Sequence, residues 1–269
     1  MRCPKCNAQI PNDARFCTEC GANLQLAGED RRQMVQAAAS GGFVLGQAAR
    51  QARMETFVDP DAIISERAYH AILIGVVVWG LLVNVFLCAF VGDVTNYISP
   101  SLFLIIYLVS VFAGIAIASR SKNPAVSFLG YNMVVVPFGL AISMLVSEYG
   151  GLESEIVRDA FVYTLIITLG MLGLVMMFPR FFSGLGGTLF TCLISFVICE
   201  GILLIFRIPQ NVTDWIAAGL FSLYIAYDIY RSQQFPKTVD NAVDSALDIY
   251  LDIANIFVRV LSILSKKKD

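Results

Sequence analysis

The sequence predicts an all-α integral membrane protein, a bundle of seven transmembrane helices preceded by a small metal-binding module. Three observations predict it. Of the 269 residues, 57% are hydrophobic and only 15% charged, and the mean hydropathy is +0.69, far from the composition of a soluble domain of this length. Apolar stretches long enough to cross a bilayer recur along the chain. After residue 70 there is almost no period-two alternation bounded by turn signals, which disfavours a closed barrel and leaves helices.

The first 70 residues differ in kind. "MRCPKCNAQIPNDARFC" has no apolar core of the sort a signal peptide needs, so the first span is expected to do the targeting. Within residues 3–20, "CPKCNAQIPNDARFCTEC", Cys3 and Cys6 are followed after ten residues by Cys17 and Cys20. Each CxxC turns two thiolates onto one ion, and two such turns supply the four soft ligands that tetrahedral zinc prefers. So short a segment cannot bury a core, so the metal would supply most of its folding free energy. With four protein ligands no coordination position stays open, and the zinc is expected to be structural rather than catalytic. Residues 1–24 resemble the zinc ribbons at the ends of many prokaryotic proteins, which implies a structural or protein-docking role. Residues 25–66, rich in Ala, Gln and Arg around Gly41-Gly42, read as a partly helical tether, with the transmembrane domain at 67–269.

Five strong spans follow at 71–91, 101–118, 125–146, 160–178 and 185–206, and only the last holds a charge, Glu200 in "SFVICEGILL". That residue either lines an ion path or is a protonated, hydrogen-bonded core group. Two weaker spans, 212–230 and 246–264, carry ionisable residues within their apolar runs. Cys88, Cys192 and Cys199 lie in apolar spans and read as small buried hydrophobes. Thiolates and zinc belong to a reducing compartment, which puts the N-terminus in the cytoplasm. The charges agree. Arg53 and Arg67 precede the first span, the loop around Asp93 has no base, Arg120 and Lys122 follow, and the next loop sets Glu148, Glu153, Glu155 and Asp159 against Arg158 alone. Seven crossings place the basic "SKKKD" tail outside, against that preference, and a last helix buried within the bundle is favoured over one that fails to cross. A net charge of −2 gives no reason to expect a nucleic-acid partner.

The last span has a polar face. At 100° per residue, Asp244, Asn255, Asp248, Arg259 and Asp252 fall within an arc of about 80°, with Ser262 at its edge. Facing lipid, each Asp or Arg near mid-membrane would cost about 2.5–3.5 kcal/mol, so this face must look into the bundle. Asp228 lies near the end of the preceding span, and antiparallel neighbours bring it to the depth of Asp252. Two carboxyls in one low-dielectric site cannot easily both ionise and titrate as a coupled pair. Asp240 and Asp244 read instead as caps or decoration of an exposed helix start.

"AYDIYRSQQ" (226–234) and "ALDIYLDIANIFVRVLSIL" (246–264) resemble the last two helices of the Bax inhibitor-1 family, and helix count and loop lengths extend the resemblance to about residues 65–265. The resemblance implies seven helices with the last at the centre, and Asp228 and Asp252 as a pH-sensing aspartyl pair. It offers Arg120, in "ASRSKNP" (118–124), as a latch onto Asp228, and it implies a pH-sensitive calcium leak. Two departures stand out: 101–118 lacks the acidic residue that the family's structural prototype carries in its second helix, and Glu200 is not expected of the family; the zinc ribbon is a further addition. The expected function is a cation channel or transporter, calcium its ion, with Asp248, Asn255 and Glu200 along the path. The alternative is a non-conducting regulator that binds membrane proteins, such as a membrane-bound protease, through the ribbon. Enzyme chemistry is not expected, because the chain has one histidine, His70, no HExxH, and no GxGD at the aspartates.

Overall fold

The structure, a computed structural model, describes residues 62–206 and 211–266; Cys3, Cys6, Cys17 and Cys20 lie outside the described residues, as does the tether up to residue 61. The described residues form helices α1 (Glu66–Phe90), α2 (Pro100–Arg120), α3 (Pro124–Glu148), α4 (Glu155–Met177), α5 (Pro179–Ser183), α6 (Gly186–Ile205), α7 (Asn211–Ser232) and α8 (Val239–Ser265). Among them there is no strand, only an isolated antiparallel bridge between Ile63 and Thr238. The fold is all-helical, and α1, α2, α3 and α4 are each long and apolar enough to cross a membrane. In α6 the apolar stretch is shorter, Gly186–Glu200.

Local chemistry sets the boundaries. Helices α2, α3 and α5 begin at Pro100, Pro124 and Pro179, where a missing N–H costs nothing because the first turn has no acceptor for it. The sequence reading missed α5, whose Pro179 start signal was there to be read. Helix α3 ends at Gly150 and Gly151, whose φ of +95° and +78° suits glycine, with Gly151 N–H donating back to the Val146 carbonyl at 2.8 Å. After α1, Asp93 accepts from Thr95 N–H at 2.8 Å and from its hydroxyl at 2.6 Å; these bonds hold the Asp93 carboxyl below its usual range.

The chain divides into two compact units. In one, the described residues are 62–76, 108–134 and 234–244. Helices α2 and α3 touch backbone to backbone there: a Cβ on Gly114 would lie 2.6 Å from the Gly130 carbonyl oxygen. Ile64 N–H donates to the Lys237 carbonyl at 2.8 Å, and the Lys237 ammonium sits 4.6 Å from the Tyr69 ring centroid. Burial pushes the Lys237 amine below its ordinary value. Ser127, in the first turn of α3, donates to Asp240 Oδ1 at 2.6 Å.

The other unit comprises 77–107, 135–233 and the rest of α8. Leu189 and Phe196 of α6 pack on Ala217 and Leu220 of α7, and Val175 and Phe182 pack on Ala226. Tyr250 of α8 donates to Asn84 Oδ1 of α1 at 3.0 Å.

Two expectations are corrected. Asp240 and Asp244 do not decorate an exposed helix start: every residue from 240 to 250 is buried. The cap is Thr238, whose hydroxyl accepts from Asn241 N–H at 3.1 Å, while Asp240 faces inward onto Ser127. Cys192 and Cys199 are exposed and Cys88 half-buried. Helix α6 turns Leu189 and Phe196 inward, and the two cysteines fall about 40–80° to one side of them.

Candidate functional site

The polar face of α8 carries two charged clusters. In the first, Arg231 in the last turn of α7, where a cation suits the helix dipole, reaches two carboxylates. Its Nη2 lies 3.0 Å from Asp248 Oδ2 and its Nη1 3.4 Å from Asp228 Oδ1. The guanidinium sits 5.5 Å from the Tyr227 ring centroid. Asp252, one turn beyond Asp248, is within hydrogen-bond reach of Asp228, and Tyr224, one turn before Asp228, stands close to both. All three aspartates are buried. A hydrogen bond between two carboxyls needs a proton on one of them, so this arrangement can hold a proton or, with the acids ionised, a cation.

The second cluster lies about eleven residues further along α8, roughly 16 Å. Arg259 Nη1 is 2.9 Å from Asp214 Oδ1 and its Nη2 3.2 Å from Glu200 Oε2. Lys266 and Ser262 donate to Asp214 Oδ2 at 2.8 and 2.7 Å. Two acids meet two bases here. The first cluster sets three acids against one.

Among the sequence candidates, Asp228, Asp248 and Asp252 therefore come together. Asn255 lies between the clusters, its amide donating to the Leu251 carbonyl at 2.8 Å. Glu200 is ion-paired with Arg259. Arg120 is the last residue of α2, with its side chain exposed. Sequence reasoning missed Arg231, Asp214 and Lys266 as site residues. Arg231 was legible as the base three positions after Asp228 on one helix face. The second cluster was legible as two charges of opposite sign within apolar stretches, Glu200 and Arg259, each needing the other. Of the acidic loop residues, Glu148 joins Asp93, Thr95 and Ser147 around an open polar hollow of about 550 Å³.

A family model described as "Inhibitor of apoptosis-promoting Bax1" matches residues 64–269. The chain belongs to the Bax inhibitor family. In this Bax inhibitor protein a zinc-ribbon domain model also matches residues 2–24, the stretch with the four cysteines. Similar proteins include uncharacterized proteins of two Helicobacter pylori strains, 40% identical over 90 residues, which is 32% of this chain and 38% of theirs. Another, of Campylobacter jejuni, is 33% identical over 127 residues, 46% of this chain and 53% of its own length. The matches thus span about half or less of these curated relatives. Family and apolar helices together make the Bax inhibitor protein an integral membrane protein in contact with lipid.

Proposed function

We propose that this protein is a pH-sensitive cation leak channel or transporter, with calcium as the ion and the Asp228–Asp252 pair as its sensor. The observation that carries the reading is the imbalance of the first cluster: Asp228, Asp248 and Asp252 share Arg231, so the site with its acids ionised keeps two negative charges in excess. Buried excess charge must be neutralised by protons or by a cation, and carboxylate oxygens suit a hard one such as calcium. Protons and calcium then compete for the same oxygens. The family resemblance adds Arg120 as a latch, and Arg231 is the guanidinium already in place beside Asp228. Beyond the pair, Asp248, Asn255 and Glu200 are the proposed path.

Seven crossings are part of this reading. The Ile63–Thr238 bridge puts the entry to α1 beside the loop before α8, and Ser127–Asp240 puts the start of α3 there too. An even number of crossings between residues 64 and 237 is what such pairing supports, with α1, α2, α3, α4, α6 and α7 making six. The seventh takes the basic tail across, where Lys266 is partly neutralised by Asp214. We place the N-terminus in the cytoplasm of a prokaryote, its four cysteines holding structural zinc.

Calcium flux into proteoliposomes between pH 5 and 8 tests the reading, comparing wild type with Asp228→Asn and Asp252→Asn. The expected result is a pH-dependent flux whose pH response both variants lose. Folded wild type that passes no calcium at any pH overturns it. The zinc-ribbon match favours the second reading, a non-conducting adaptor, and deletion of residues 1–60 separates the two: a channel keeps its flux, an adaptor loses its partner.

A further inference from the structure

A cavity of about 350 Å³ lies within the larger unit, walled by α1, α3, α4 and α8. Its floor is buried and apolar, with Ile142, Val146, Val157 and Ala254, and its rim is exposed, with Val85, Phe161 and Leu165. Two rim helices, α1 and α4, are membrane-span candidates, so the mouth between them opens toward hydrocarbon. The volume is within the range of about 300–1,000 Å³ of ligand pockets, and a predominantly apolar lining favours an apolar guest. Among its few polar groups, Asn84 already accepts from Tyr250 and Thr164 donates to the Ala160 carbonyl at 2.8 Å, while the buried Thr168 hydroxyl has no hydrogen-bond partner among the described residues.

One end of the wall is charged. Arg158 lies in the first turn of α4, where Glu155 and Asp159 fall with it inside an arc of about 100°. A guanidinium flanked by two carboxylates complements a headgroup that carries both signs: phosphate to Arg158, ammonium to Glu155 or Asp159. A purely anionic headgroup would meet two like charges.

We propose that this cavity binds one acyl chain of a bilayer phospholipid whose head carries a phosphate and a primary ammonium, a phosphatidylethanolamine. The chain lies against Ile253, Ala254 and Phe257, the side of α8 behind Asp252 and Asn255. The site rests on the membrane character of the family and is independent of the ion-leak reading.

Native mass spectrometry of the full chain, released from bilayers of equal phosphatidylethanolamine, phosphatidylglycerol and phosphatidylcholine, tests it. Wild type is expected to retain one phospholipid, with phosphatidylethanolamine enriched about tenfold, the size of one charge-assisted hydrogen bond. Ala254→Phe, and Leu165→Trp at the exposed rim should Ala254→Phe not fold, are expected to lose the bound lipid while the melting temperature stays. Glu155→Gln together with Asp159→Asn is expected to keep a lipid and lose the enrichment, while Arg158→Gln, which meets the phosphate common to all three lipids, is expected to weaken retention without changing the preference over phosphatidylcholine. Folded wild type that retains no stoichiometric lipid, or retains all three headgroups equally, overturns the proposal. So does a cavity-filled, folded Leu165→Trp variant that retains lipid as wild type does.

Discussion

Arg231→Gln removes the guanidinium that Asp228 and Asp248 share. Breaking a buried ion pair from one side costs about 3–5 kcal/mol, because the remaining charge stays desolvated. The loss has a ceiling, since a stranded carboxylate can take up a proton instead. From an ordinary aspartate value near 3.9, at 1.36 kcal/mol per pH unit, protonation costs about 4 kcal/mol at pH 7 and about 1.5 kcal/mol at pH 5. The glutamine amide returns about 1 kcal/mol as a neutral hydrogen bond. The variant is therefore expected to be less stable than wild type by about 3 kcal/mol at pH 7 and by under about 1 kcal/mol at pH 5. The sign follows from linkage: the folded variant binds a proton its unfolded chain does not hold at pH 7, so its relative stability rises as pH falls. Reversible unfolding of purified protein in detergent, measured at both pH values, reads the difference. An equal loss at pH 5 and pH 7 refutes the reasoning, as does a loss below 1 kcal/mol at pH 7.

In the second cluster, Arg259→Gln is expected to cost about 3 kcal/mol and Lys266→Gln less than about 1 kcal/mol in the same assay, because the lysine is 41% exposed and Asp214 keeps Arg259 and Ser262. Gly130→Ala places a Cβ about 2.7 Å from the Gly114 carbonyl oxygen, and the α2–α3 contact must open. Its melting temperature is expected to fall by an amount equivalent to about 1–3 kcal/mol. Elemental analysis is expected to find one zinc per chain, lost on Cys17→Ser, with the helical circular dichroism unchanged.

All the helices but α5 were legible from length and apolarity: each expected span overlaps one helix, its ends displaced by one to seven residues, and α1, α2, α3 and α4 are long and apolar enough to cross a membrane. The polar face of α8 was legible for the same kind of reason, a 100° periodicity that puts Asp248, Asp252 and Arg259 on one side. What the sequence did not disclose is what each charge meets. Asp240 in the first turn of a helix looks like a solvated dipole partner, and only the packing around residues 240–250 makes it an interior group held by Ser127, 113 positions away. Arg231 drew no site reading from the sequence, because the positive-inside rule explains a base near the end of a span without asking for its partner. Asp214 was passed over altogether, although Lys266 and Arg259 converge on it.

Within the larger unit, helix α8 is fastened to both ends of α7, to Arg231 through Asp248 and to Asp214 through Arg259 and Ser262. A rod pinned in this way resists sliding along its axis, since sliding breaks both fastenings at once. Between those fastenings, past the Tyr250–Asn84 bond, the motion left to it is a bow. Asp252 lies on that stretch, so a change in what it holds is taken up as curvature. The space behind Ile253, Ala254 and Phe257 is where the bow goes, and whatever fills it sets how stiff the helix is.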